Sequence, residues 1–140
     1  MADHWKTEII ALTELPEARA LKNDASFFPP ASPEQILNWE QRNGVTVPGE
    51  IRSFIQQSDG LEAGRGELWP VLPHAQWEVV RDECASSHAW IRFGEGGGHR
   101  YLLSLGHSPS IYRHERFGSD ETFFARDFRQ FLRKVFRNED

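Results

Sequence analysis

Apolar positions change period several times along the chain, and each change predicts an element. Trp5, Ile9 and Leu12 recur at helical spacing behind Asp3, a capping residue, which predicts a first helix ending near Pro16. Residues 22–31 hold Asn-Asp, Phe27-Phe28 and Pro29-Pro30 and read as a loop with two aromatic anchors. Ser32-Pro33-Glu34-Gln35 is a helix start: serine at the N-cap, proline where no N–H is needed, and a glutamine able to close a capping box. Ile36, Leu37 and Trp39 form its expected buried stripe, and Asn43-Gly44 its stop. Pro48 opens a third helix in which Ile51, Phe54 and Ile55 share a face, and Asp59-Gly60 ends it.

The second half reads differently. Residues 61–67, with two glycines and three charges, predict an exposed turn, and Leu68 to Leu72 a short strand that Pro70 places near an edge. Residues 74–88 predict a helix through Trp77, Val80 and Cys84, with Gln76 to Arg81 also readable as extended. Short apolar runs near 89–93, 100–105 and 110–114 predict strands, with Gly94-x-Gly96-Gly97-Gly98 as the turn between the first two. A last helix is expected with Phe124, Phe128, Phe131, Leu132 and Val135 as its stripe and Arg126, Arg129, Arg133 and Lys134 facing out. The fold class is therefore α+β, an antiparallel β-sheet flanked by helices, most simply one domain over residues 1–140.

Composition narrows the function classes. Cys84 is the sole cysteine, so no intramolecular disulfide forms. No apolar stretch nears the roughly 20 residues of a membrane span, and the N-terminus lacks the pattern of a secretory signal. A cytoplasmic protein without a membrane contact is expected. Net charge is −5 overall. Residues 1–89 hold 14 acidic and 7 basic side chains, whereas residues 90–140 hold 7 and 9. That balance disfavours direct nucleic-acid binding and favours basic partners.

Catalytic and metal motifs are weak. The glycine cluster precedes no helix and lacks a Gly-Lys-Ser/Thr ending, so a hairpin turn explains it better than phosphate binding. His99, His107 and His114 lie seven or eight positions apart, and Cys84 with His88 makes only one close pair, short of the two pairs of structural zinc. Asp82 does not share a helix face with Cys84, so a Cys84–His88–Asp82 triad is disfavoured. No cofactor, no metal and no enzymatic activity are expected.

The order of the motifs resembles the SUKH superfamily, the Smi/Knr-like proteins. Ser32-Pro33-Glu34-Gln35-Ile36 begins the likeness. Val47-Pro48 with the Phe54 helix is similar to the family's Leu-Pro and its Phe-containing helix, Asp59-Gly60 to its helix end, and Leu68-Trp69-Pro70 to its Leu-Tyr/Trp-Pro strand. Trp90 to Tyr101 resembles its glycine hairpin, Ile111 to His114 the next strand, and Phe128 to Leu132 its Phe-x-x-Phe-Leu. The likeness covers about residues 30–135. His99 departs from it, standing where the family often has Asp after the hairpin glycine.

The resemblance implies a binding module, not an enzyme. Bacterial members are commonly immunity proteins that neutralise toxins, many of them nucleases, and fungal members are signalling scaffolds. The expected function is neutralisation of a toxin, a basic toxin domain being the partner, by binding and occlusion; the alternative is an intracellular regulatory or scaffold domain with no toxin. The candidate partner-binding residues are Glu62, Glu67, Trp69, Glu95 and His99, with core packing the favoured competing role for Trp69.

Overall fold

The computed structural model describes residues 5–13, 25–63, 68–81, 89–96, 98–105, 110–115 and 121–137. In chain order the elements are α1 (Trp5–Thr13), β1 (Ser26–Phe27), α2 (Pro33–Asn43), α3 (Gly49–Ile55), β2 (Leu61–Ala63), β3 (Leu68–Val71), a 3-10 turn (His74–Gln76), β4 (Glu78–Arg81), β5 (Ala89–Gly96), β6 (His99–Ser104), β7 (Ile111–Glu115), β8 (Glu121–Ala125) and α4 (Phe128–Arg137). The strands form one antiparallel sheet in the order β1-β2-β3-β5-β6-β7-β8. β5 is its spine: β6 pairs along one flank, while β4 and β3 share the other, β4 at Ala89–Arg92 and β3 at Glu95–Gly96.

Local chemistry explains the first helices. The Ser32 hydroxyl accepts from the Gln35 N–H at 3.1 Å, and the Gln35 side chain accepts from the Ser32 N–H at 2.9 Å, so the capping box is closed. Ile36, Trp39 and Glu40 are the buried side of α2, whereas Leu37 is 51% exposed. One residue is a 100° step around a helix, which carries Leu37 off the stripe that Ile36 begins. Glu40 ties α2 to the segment beyond it: the Val47 N–H donates to its Oε2 at 2.7 Å, and Arg52 of α3 pairs with the same oxygen. Burial alone would raise the Glu40 pKa. The Arg52 hydrogen bond, the Val47 N–H and the Arg52 charge outweigh it and hold the carboxyl below its ordinary value.

The core lies between the helices and one face of the sheet. Phe131 of α4 meets Phe93 at 5.2 Å, Tyr101 at 4.9 Å and Phe124 at 5.9 Å between ring centroids. Phe128 meets Trp5 at 5.2 Å and Phe54 at 5.3 Å, which brings α1 and α3 onto the same helix. Each such ring removed from water contributes about 1.5–3 kcal/mol.

Several expectations change. Phe124 lies on β8, not on the last helix; strand and helix present their rings to one core, so a single stripe crosses the break at Arg126-Asp127. The Asp127 side chain starts α4 by accepting from the Gln130 N–H at 2.8 Å. Arg129 does not merely face solvent: it pairs with Glu8 at 3.2 Å and lies 4.9 Å from the Trp5 ring, fastening α4 to α1. The 74–81 stretch is a 3-10 turn followed by a strand, because Trp77 and Val79 turn inward while Glu78 and Val80 stay exposed, a period of two. Residues 82–88, with Cys84, lie outside the described residues. Within the expected turn at 61–67, Leu61 and Ala63 are buried on β2.

Pro70 sits on an interior strand instead of an edge. It is tolerated at an irregularity, where Leu61 pairs with Val71 but Ala63 with Leu68, so Trp69 and Pro70 together oppose Glu62. A second bulge faces it on β5: Arg92 pairs with Leu102 and Gly94 with Tyr101, leaving Phe93 as the extra residue. Glycine is required there, since a Cβ on Gly94 would collide with the Pro70 carbonyl. The β5–β6 turn is shorter than the expected Gly94–Gly98: Gly94 and Gly96 pair within β5, and Gly98, at φ 83°, leads into β6.

Two variants test these joints. Gly94→Ala must push β3 and β5 apart and is expected to cost about 1–3 kcal/mol, read by denaturant unfolding. Glu40→Gln is expected to cost about 1–2 kcal/mol at neutral pH. Because the folded-state Glu40 pKa is lowered, this wild-type advantage is fully present above the ordinary glutamate pKa. It fades as pH falls through the lowered value, which paired unfolding curves across acid pH will show.

Candidate partner-binding face

Alternation along the strands sorts side chains onto two faces. Ile91, Phe93, Tyr101, Leu103, Ile111 and Phe124 point into the core beneath the helices. Their neighbours point to the other face, and register aligns them in rows. One row is Glu78, Arg92, Leu102, Tyr112 and Phe123, on β4, β5, β6, β7 and β8. The next is Val80, Trp90 and Ser104. On the other side of β5 the row runs Trp69, Glu95, Arg100 and His114, with Glu62 opposite Trp69 at the β2–β3 irregularity.

This face is built, not merely left over. Trp90 meets Tyr112 edge-on at 5.0 Å, and Tyr112 meets Phe123 edge-on at 5.8 Å. Glu78 and Arg92 form an ion pair across β4 and β5. Phe123 is 55% exposed and Val80 42%, both large apolar side chains. At the other end Trp69 stacks on Phe28 at 5.4 Å with 20° between the rings.

The loop under that stack is fixed by buried polar contacts. The Phe28 N–H donates to Ser58 Oγ at 2.9 Å, and Ser58 Oγ donates to the Gly60 carbonyl at 2.7 Å. Asp59 accepts from the His74 N–H at 2.8 Å and meets His74 Nδ1 at 2.9 Å, so both carboxylate oxygens hold the 3-10 turn to the end of α3. Among the described residues there is no group of three or more side chains placed to hold a metal. A cavity of about 200 Å³ lies on the helix side, between Ile51, Leu103, Ile111 and Phe128. Its two carboxylates, Glu50 and Asp127, accept from backbone N–H groups of α4, from Phe128 at 3.3 Å and from Gln130 at 2.8 Å.

Of the residues singled out from the sequence, Glu62, Trp69 and Glu95 come together on the open face. Trp69 is half-buried: it packs against the core and stacks on Phe28. His99 opens β6 opposite Gly96 and, by alternation with Tyr101, belongs to the helix-side face, so it is separated from the other three. Glu67 lies outside the described residues. Sequence reasoning missed Val80, Trp90, Arg100, Tyr112 and Phe123. Their signal was the strand alternation itself: Trp90 and Arg92 occupy the opposite phase from Ile91 and Phe93.

Comparison with known proteins fits this architecture. The model of the SMI1 / KNR4 family (SUKH-1) matches residues 30–134, from the segment before α2 into α4. The chain belongs to that family. Its antiparallel sheet with helices on one side is the SUKH α+β fold. A relative in Bacillus subtilis (strain 168), the uncharacterized protein YnaB, is 29% identical over 90 residues. The match covers 62% of this chain and 60% of that relative, less than two thirds of its length. No described helix is long and apolar enough to cross a membrane.

Adjacent phenylalanines give a direct test of the two faces in this SUKH domain. Phe124→Ala is expected to cost about 3–5 kcal/mol, because its ring fills the core. Phe123→Ser is expected to stay within about 0.5 kcal/mol of wild type, because its ring is largely in water. Unfolding curves of the two variants measured side by side check the assignment.

Proposed function

We propose that this SUKH-family chain is a non-catalytic, cytoplasmic protein-binding module of the immunity type, which neutralises a toxin domain by seating on it and occluding it. The observation that carries the reading is the sheet face opposite the core, where Val80 on β4 and Phe123 on β8 are exposed at either side of Trp90, Arg92 and Tyr112. A large apolar patch rimmed by polar groups is the usual mark of a protein interface. Family membership supports the same class of function. The net charge of −5 supports a basic partner, a nuclease toxin among the suitable ones, because opposite charge steers encounter. Occlusion needs no chemistry from the module, only a complementary surface.

The test uses a toxin domain encoded beside the gene for this chain. Expressed alone in a bacterial host, that domain is expected to arrest growth, and co-expression of this chain to restore it, with the two proteins co-eluting in size-exclusion chromatography. Normal growth with the toxin domain alone, or arrest undiminished by this chain, would overturn the reading.

A further inference from the structure

The open face is not uniform, and one part of it is specific enough to name what it receives. Glu62, Trp69 and Glu95 lie on the adjacent strands β2, β3 and β5, within about 10 Å at the usual strand spacing. Among the described residues neither glutamate has a hydrogen-bond or ion-pair partner. Glu95 is the register partner of Arg100 on β6, yet the two form no ion pair. Register places the two carboxylates on either side of Trp69, and among the described residues neither is engaged by an ion pair, so both remain available to a cation.

Trp69 between them is preorganised. Phe28 stacks on it, and Phe28 is itself anchored through Ser58. Among the described residues the indole has no cation against it, although Trp5 and Phe27 each have one and Phe124 has two. The electron-rich face of an indole is the best side-chain surface for a cation. A guanidinium can lie flat on that surface and point its fork of N–H donors at carboxylates on either side; an ammonium can satisfy only one of these demands at a time.

We propose that Trp69, backed by Phe28 and flanked by Glu62 and Glu95, is the seat for one cationic side chain on the surface of the protein partner, arginine in preference to lysine. The proposal rests on the reading of the chain as a partner-binding module and gives that partner a chemical requirement. Charge decides the occupant: among the described residues Trp69 has a carboxylate opposite it on each neighbouring strand and no basic side chain at either position, Arg100 and His114 following on β6 and β7. The bulges at β2–β3 and at β5 also serve the seat, because each resets the phase of its strand so that the paired Trp69 and Glu95 lie on the face away from the core.

The experiment needs no toxin. The ¹⁵N-labelled chain is titrated with N-acetyl-Gly-Arg-Gly-amide and with its lysine and glutamine counterparts. The Trp69 indole Nε1–H resonance, assigned by its disappearance in Trp69→Phe, is followed. The arginine tripeptide is expected to shift that resonance saturably, the lysine tripeptide to bind more weakly, and the glutamine tripeptide to leave it in place. In the Glu62→Gln/Glu95→Gln double variant the arginine tripeptide should bind about tenfold more weakly, with the remaining resonances unchanged as proof of folding. Rising salt should weaken wild-type binding further. An unmoved resonance, equal shifts from arginine and glutamine tripeptides, or undiminished binding by the double variant overturns the seat, and equal binding of lysine overturns the arginine preference. Growth rescue that survives the double variant discards the seat and keeps the immunity reading; tripeptide binding without any rescue keeps the seat and discards the toxin.

Discussion

Phe131 of α4 touches Phe93, Tyr101 and Phe124, rings from three strands, while its neighbour Phe128 touches Trp5 and Phe54 from two helices. This aromatic clasp draws the buried apolar side chains of α1, α3 and α4 to one side of the sheet. A strand cannot bury one set of alternate side chains without turning the other set away. Sealing one face with helices therefore commits the opposite face to carry Trp90, Tyr112, Phe123 and the charged rows in view of any partner. The face proposed for binding is the geometric complement of the core.

Irregular pairing refines that surface. On β8 the register passes from Ile111 with Ala125 to Tyr112 with Phe123, so Phe124 is an extra residue and both Phe124 and Ala125 turn inward. The same happens on β5, where Phe93 and Gly94 together oppose Tyr101. Without the bulge Glu95 would face the helices. Gly94 can be there only because it lacks a Cβ that would strike Pro70, and Pro70 is tolerated because its own strand is irregular against β2. Three interruptions of ideal pairing thus set where Trp69, Glu95 and Phe123 point.

The helical part of the fold was legible wherever its cause was local. The capping box of Ser32 and Gln35 and the Ile51–Phe54–Ile55 stripe depend on residues a few positions apart, and each forms as expected. The errors cluster where one pattern serves two periods. Phe124 extends the helical spacing of Phe128 and Phe131, yet it reaches the same core from a strand. Leu61 and Ala63 alternate over too few residues to announce β2. Among site residues, Glu62, Trp69 and Glu95 were found as charged or aromatic groups near turns, but nothing in their spacing separated them from His99, which the alternation of β6 sends to the other face.

The sequence by itself determined the class of the fold, the capped start and stop of α2 and the membership of the SUKH family, because those depend on short-range stereochemistry and on motif order. Only the tertiary structure decided which side chains share a surface. That depends on register between strands up to dozens of residues apart in the chain, and one extra residue at a bulge reverses the facing of everything beyond it. Glu95 faces Trp69 because Gly94 and Pro70 meet, a contact between strands that neither segment encodes alone.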